Sequence, residues 1–475
     1  MKEAEISFLH STLESEGQFI STNEVLKWIE EQRNAVKVDI DIIPFTKMCK
    51  WHFEDKTGNL VHDSGRFFSI EGIEINTNWG KVERWSQPII KQPEVGFLGI
   101  IAQKRNGILH FLMQAKIEPG NINYVQLSPT LQATKSNYSR VHAGNAPLYL
   151  EYFNGGKERK VLMDQLQSEQ GARFLRKRNR NIIIEVEGDI PVYDQFCWLT
   201  IGQIKDLLRY DNLVNMDTRT VLSGISFGSY PLDGIHLLNK VITRKQDKDA
   251  EFRREMLLSA LDTTGSLLTL EEIISWITSL KTQYELEVQP IPLNSIQNWH
   301  RNDFEIFHEK KKYFSVIGVD VHIGNREVLN WSQPLVKSAQ EGLIGFIVKK
   351  INGIYHFLVQ AKLEAGNFDI IELAPTVQCL TGNYRTGLNE YEVPFINEVL
   401  NVPEERVIFK TLQSEEGGRF FREQNLSIIA EAGDDFPIEV PENYCWLTLN
   451  QLQTFIRFNN YLNIQARSLL AAVPF

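Results

Sequence analysis

The sequence lacks what would mark it for a membrane, an oxidising compartment or nucleic acid. No apolar run reaches membrane-spanning length. The first residues, MKEAEISFLHSTLESEG, are acidic where a secretory leader would carry a basic segment and an apolar stretch, so a cytoplasmic protein without a signal peptide is expected. Cysteine is scarce, and Cys49, Cys197, Cys379 and Cys445 show no C-x-x-C spacing. Neither a disulfide framework nor a cysteine metal site is therefore expected. Positive charge is in deficit: 50 Lys and Arg against 60 Asp and Glu leave a net charge of −10, which argues against a nucleic-acid binder. No G-x-G-x-x-G fingerprint is present, which disfavours a dehydrogenase, and no motif supports a lysine-bound pyridoxal phosphate.

What is present is one unit written twice. Residues 114–142 read QAKIEPGNINYVQLSPTLQATKSNYSRVH, and a shortened version, QAKLEAGNFDIIELAPTVQCLTGNYR, returns at Gln360. Both copies keep a Lys and a Glu two apart, a Gly-Asn turn, a Pro-Thr pair followed by Gln, and an Asn-Tyr pair. Lys116 with Glu118, and Lys362 with Glu364, would each share one face of a strand. At 475 residues, 43% of them apolar and 23% charged, the chain can bury two cores. The expected division is residues 1–225, a linker at 226–249 marked by Gly228, Pro231, Gly234 and a charged run, and residues 250–475. Gln114 and Gln360 are 246 apart whereas Trp198 and Trp446 are 248 apart, so the second copy gains two residues in a loop near Pro441. A period this long means a duplicated domain, not a solenoid.

Within each copy the order of elements is the same. Ser21 with Glu24, Thr200 with Gln203 and Thr269 with Glu272 read as capping boxes at helix starts. Residues 67–75, 97–102, 108–117, 182–186 and 313–323 read as strands, with Asn106-Gly107 turning a hairpin. The spacing of Val161, Leu162, Leu166 and Phe174 suggests a helix over residues 161–176, and the two Trp-Ser-Gln-Pro tetrapeptides at Trp85 and Trp331 suggest turns.

Several residues carry candidate chemistry. Arg173 and Arg419 follow glycines in the paired elements Leu-Gln-Ser-Glu-Gln-Gly-Ala-Arg-Phe and Leu-Gln-Ser-Glu-Glu-Gly-Gly-Arg-Phe, where a guanidinium could clamp a pyrophosphate or instead pair with a Glu structurally. The basic run at residues 176–180 reads as a solvated turn. Trp85 and Trp331 could stack a base or sugar, although packing is the commoner role. Symmetry breaks after the Asn-Tyr pairs: Asn137-Tyr138 is followed by Arg140 and His142, which Asn383-Tyr384 lacks, so catalysis is expected in the first half. His110 and His356 occur in both copies and look structural.

Taken together, Trp-Ser-Gln-Pro, Gln-Ala-Lys-Ile-Glu-Pro-Gly-Asn, Leu-Ser-Pro-Thr-Leu-Gln-Ala-Thr and Ser-Asn-Tyr resemble the NDP-hexose 2,3-dehydratase family over nearly the whole chain. The second copy departs at Ala365, opposite Pro119, and has no match for His142. The resemblance implies an α+β fold made of a tandem duplication of a Nudix-like mixed-sheet domain, forming a homodimer. It implies elimination of water from a dTDP-4-keto-6-deoxyhexose without metal or redox cofactor, and a partner 3-ketoreductase for the labile diketo product. Lys116, Tyr138 and Arg140 would be donors and His142 or Glu118 the base, with their order left open. Motif positions Trp85, Gln87, Gln114, Asn121, Thr130, Gln132, Asn137, Arg173, Trp331, Lys362, Tyr384 and Arg419 would contact the substrate.

Two other readings remain. Glu415-Glu416-Gly417-Gly418 mimics the end of a Nudix hydrolase box, but Thr411 and Leu412 stand where its Arg-Glu should be, as do Gln165 and Leu166 in the first half. A non-catalytic sugar-nucleotide binding module is the other.

Overall fold

In the computed structural model of the chain, which describes residues 3–134, 146–229, 250–324, 330–380 and 393–475, local signals set where the helices begin. Ser21 accepts from the Glu24 amide while Glu24 reaches back to the Ser21 amide, opening the helix Thr22–Asn34. Thr269 with Glu272 opens Leu270–Gln283, and Thr200 with Gln203 opens Ile201–Leu207. Each such cap is worth about 1 kcal/mol. Val25 and Ile29, and in the second half Ile273, Ile277 and Leu280, are the buried stripes of the two long helices.

Each half carries a seven-stranded sheet of the same strand order. In the first, Lys160–Ser168, Arg178–Glu185, Gly96–Arg105, Ile108–Ile117 and Phe196–Leu199 lie side by side, and Val125–Ser128 and Leu131–Ala133 add short pairings. Arg178–Glu185 runs parallel to Gly96–Arg105 and the other pairs are antiparallel, so the sheet is mixed. The central hairpin turns through Asn106 and Gly107 at φ 50° and 81°, and Asn352 with Gly353 repeats it at 54° and 82°. Positive φ at both positions is what a two-residue hairpin turn needs.

A pair of five-stranded sheets ties the halves together by exchange. Val38–Ile43 of the first half pairs along its length with Phe314–Ile323 of the second. Leu286–Ile291 of the second half pairs in return with Ser69–Thr77 of the first. One cluster of buried apolar side chains also runs through both halves, including Phe111, Met113 and Leu127 from one and Phe346, Phe357 and Leu373 from the other. At about 1.5–3 kcal/mol for each fully buried large apolar side chain, this shared core dominates the gross stabilisation.

The turns interlock as well. The Gly120 amide donates to the Gly417 carbonyl at 2.7 Å, and the Gly366 amide to the Gly171 carbonyl at 2.6 Å. A Cβ on Gly120 would lie 1.6 Å from the Phe420 carbonyl oxygen, and one on Gly366 1.8 Å from that of Phe174, so only glycine allows the approach. Fully buried Arg219 reaches across to Gln413 Oε1 and the Ser414 carbonyl, and Arg467 to the Ser168 carbonyl.

Two expectations about local structure need correction. Residues 161–176 are not a helix: Lys160–Ser168 is a strand, followed by a turn through Gly171. A bulge between Val161 and Met163 shifts the alternation by one residue and so imitates helical spacing. The Trp-Ser-Gln-Pro segments are strands too, Arg84–Lys91 and Asn330–Ser338. Each forms a full ladder with one neighbour and makes a single parallel bridge on the other side, Ile90 to Phe174 and Val336 to Phe420, so Pro88 and Pro334 sit where the second ladder is not continued. Of the expected linker, residues 230–249 lie outside the described residues.

The exchange predicts that residues 1–249 made alone are insoluble, since residues 38–43 lose their partner strand, and that co-expression with residues 250–475 restores a soluble complex. A soluble, monodisperse fragment by size-exclusion chromatography would contradict this. A second expectation concerns Glu372, whose carboxyl accepts from Ser168 Oγ at 2.8 Å while its twin, Gln126, accepts from Ser414 Oγ at the same distance. Burial, with Glu364 and Asp369 adding to it, raises the Glu372 pKa to about 8 against the pull of Arg467. The folded state then holds a proton that the unfolded state has lost above its ordinary carboxylate pKa, so this group's contribution falls as pH rises through that window and levels off above about 8. Glu372→Gln should match the parent in thermal melting at pH 5 and exceed it, by a few kcal/mol at most, at pH 9. Equal melting curves at pH 9 would show the raised pKa to be absent.

Candidate functional site

Lys116 is the penultimate residue of the strand Ile108–Ile117 and Glu118 follows it two residues on, which turns both side chains to one face. Lys116 Nζ is 4.0 Å from Glu118 Oε1 and donates to the Gln132 carbonyl at 3.2 Å. The Gln132 amide donates to Glu118 Oε1 at 2.7 Å and is itself oriented through its oxygen by Asn215 at 3.1 Å. Glu118 Oε2 is buried with no hydrogen-bond partner among the described residues. An oxygen left in that state costs free energy unless something else approaches it.

This face is the floor of a cavity of about 610 Å³, large enough for a nucleotide-sized ligand. Its walls come from both halves. The first half supplies Trp51, His62, Phe67 and Phe68 together with Glu169, Lys177 and Asp217, while the second supplies Trp331, Glu416, Gly418 and Arg419. The cavity is thus lined by aromatic and by charged side chains together. Arg419 is fixed by stacking on Phe68, with the guanidinium carbon 4.1 Å from the ring centre, and by donating to the Gly418 carbonyl at 2.7 Å.

The charges at the base perturb one another. Asp217 is pushed well above the ordinary carboxylate range by burial and by Glu416, Glu118 and Glu169, with Lys116 opposing. Glu416 is raised to about 7 by burial, with Arg419 opposing and Glu118 and Glu169 adding to the rise. Burial lowers the Lys177 ammonium, which Glu169 partly restores. Perturbations of this kind concentrated in a cleft are a signature of a reactive site. Among the described residues, no group of three or more His, Cys, Asp or Glu is arranged to hold a metal ion.

The expected site residues divide into four sets. Gln114, Lys116, Glu118, Thr130, Gln132, Trp331 and Arg419 border the cavity. The Thr130 hydroxyl, however, is engaged by the Leu112 carbonyl and the Ile101 amide, an arrangement Thr376 repeats, so that motif serves the strand. Trp85, Gln87, Arg173 and Lys362 belong instead to the symmetry-related constellation around Glu364. Gln87 holds the Trp85 indole at 3.0 Å and the Ala172 carbonyl at 3.1 Å, and Arg173 stacks on Phe314 at 4.2 Å beside Glu423 and Glu364. Asn121 is buried against Gly417 in the interlocked turn. Asn137, Tyr138, Arg140, His142 and Tyr384 lie outside the described residues.

Glu169, Lys177, Asp217 and Glu416 were not anticipated as site residues. A signal existed in the repeat itself: their twins are Glu415, Glu423, Gln465 and Gln170, so three of the four positions differ in charge between copies. Glu416 drew notice only as part of an incomplete hydrolase box.

Comparison with known proteins agrees with this two-part geometry. The family model described as NDP-hexose 2,3-dehydratase matches residues 22–225 and again residues 270–473. The chain is 43% identical over 466 residues, 98% of its length and 94% of the relative's, to a dTDP-4-dehydro-6-deoxy-alpha-D-glucopyranose 2,3-dehydratase of Saccharopolyspora spinosa. It is 41% identical over 468 residues (98% and 92%) to a protein of the same description from Amycolatopsis orientalis, and 43% over 453 residues (94% and 95%) to one from Streptomyces violaceoruber.

Proposed function

The chain belongs to the NDP-hexose 2,3-dehydratase family, and from that premise we propose that it eliminates water across C2 and C3 of dTDP-4-keto-6-deoxyglucose. The product is dTDP-3,4-diketo-2,6-dideoxyglucose. The observation that carries this reading is identity of 41% to 43% to three such dehydratases over at least 92% of their lengths. The hydrolase alternative finds no support among them. A composite cavity with an ammonium and several carboxylates at its base is suited to the chemistry, because a C4 ketone acidifies the C3 proton and general acid–base groups can complete the elimination.

In this reading Lys116 faces O4 and stabilises the negative charge that develops there, while Glu118, held by Gln132, fixes the ammonium in place. Tyr138 and Arg140 are further donors and His142 a candidate base. Arg419 and Trp331 hold the nucleotide end, the first on the pyrophosphate and the second against the base or sugar. Each half is taken as a Nudix-like domain, and the protein as a cytoplasmic homodimer. The vicinal diketone is labile, so a 3-ketoreductase should consume it.

Purified protein given dTDP-4-keto-6-deoxyglucose in D2O should exchange the C3 proton and release free dTDP from the decomposing product, with EDTA leaving both rates intact. Neither signal appearing, or both being lost to EDTA and restored by Mg2+, would rule against the reaction as written. Lys116→Ala should lower turnover roughly 10²- to 10⁴-fold at saturating substrate, the range for an acid–base or charge-stabilising group. Lys362→Ala should leave turnover near that of the parent. The reverse ranking would move catalysis to the second half.

A further inference from the structure

Resting on the dehydratase reading, we infer that the second half supplies the base to the first half's cavity: Glu416 removes the C3 proton, and Asp217 gives the proton on which the C2 hydroxyl departs. Glu416 arrives on the interlocked turn of the second half, yet faces the sheet of the first. A Cβ placed on Gly418 would lie 2.5 Å from Glu416 Oε1 and 3.6 Å from Glu118 Oε1, so the missing side chain leaves two carboxylate oxygens beside one small gap. The twin of Gly418 is Ala172.

The comparison between copies carries the argument. At the position of Glu416 the other copy has Gln170, whose amide donates to Glu415 and settles that carboxylate. At the position of Asp217 the other copy has Gln465. An amide is thus sufficient for the architecture at both places, and both replacements of amide by acid face the same cavity. Burying an acid without a matched partner is costly, so a scaffold that works with Gln gains nothing structural from it.

Their environments also separate the two acids. Asp217 lies deeper, at 3% exposure, and faces Glu416, Glu118, Glu169 and Lys116. Glu416 faces Arg419 and Lys177 as well as Glu118 and Glu169. Two carboxyls driven apart in this way can hold one proton ready to give and one site ready to receive. The electron pair of the C3–H bond passes to the C4 carbonyl as the proton moves to Glu416. Return of that charge forms the C2–C3 double bond and expels O2, which takes the Asp217 proton and leaves as water. The enol then loses its O3 proton to Asp217 and gains one at C2 from Glu416, which restores both groups.

Full-length Glu416→Gln and Asp217→Asn would be assayed in D2O with dTDP-4-keto-6-deoxyglucose, following C3 exchange and dTDP release separately. Glu416→Gln should lose both signals roughly 10²- to 10⁴-fold. Asp217→Asn should keep C3 exchange within about threefold of the parent while dTDP release falls roughly 10²-fold, a split that a merely structural role would not produce. Wild-type exchange by Glu416→Gln, wild-type elimination by Asp217→Asn, or loss of exchange in His142→Ala alone would overturn the assignment. A parent protein inactive in both signals would instead remove the dehydratase reading. Should Glu416→Gln fail to fold, the parent's pH profile decides, since exchange should rise through an ionisation near the value of about 7 for Glu416 and a flat rate from about pH 6 to 8 contradicts it.

Discussion

Two backbone hydrogen bonds govern the geometry of the rest. When the Gly120 amide meets the Gly417 carbonyl, and the Gly366 amide the Gly171 carbonyl, the turn after each Lys-x-Glu pair is locked into the Ser-Glu turn of the opposite half. Contacts this close exclude any side chain at Gly120 or Gly366. The lock brings Glu416 over the first sheet and Gln170 over the second. The first-half cavity is therefore incomplete without the second half, which delivers Trp331, Glu416, Gly418 and Arg419 to its lining.

A near-symmetric arrangement of this kind would produce two equivalent sites if the sequences allowed it. They do not. Glu416, Lys177 and Asp217 surround the first-half cavity, whereas Gln170, Glu423 and Gln465 occupy the matching places. The conserved architecture of the two copies, including the Trp85–Gln87 and Trp331–Gln333 contacts at 3.0 and 2.9 Å, is unaffected by these changes. Duplication has supplied a frame in which one set of positions keeps the scaffold satisfied while the other set is charged.

Much of this was legible beforehand, and for identifiable reasons. Capping boxes and Asn-Gly turns depend on contacts within four residues, so Ser21 with Glu24 and Asn106 with Gly107 could be read directly. Lys116 and Glu118 followed from strand alternation and from their return in the second copy. The strand at residues 160–168 was misread because its bulge is defined by pairing with residues 178–185, which no local window contains. The strand exchange at residues 38–43 escaped notice for the same reason. For Asp217 and Glu416 the signal lies in a difference between copies, Gln465 and Gln170 at the matching positions, and not in what the repeats share. Sharing mainly identified the scaffold: the Pro-Thr hydroxyls serve the strands, and Asn121 serves the interlock.

Buried acids at the junction between the halves set a condition on the bonds that close it. Buried acids whose protonation is raised above the ordinary range, Glu415 and Glu372 to about 8 and Glu416 to about 7, weaken the folded state as pH rises from the ordinary carboxylate range up to those values. Arg219, held on the Ser414 carbonyl, sets its positive charge against Glu415, and Arg467, held on the Ser168 carbonyl, sets its charge against Glu372. Arg219 with Glu415, and Lys177 with Glu416, are pairs from opposite halves, so that part of the compensation exists only when both halves are assembled. Glu416 and the Lys177 charge that helps to make it tolerable thus meet at the boundary between the halves, and the exchanged strands tie the same two halves together.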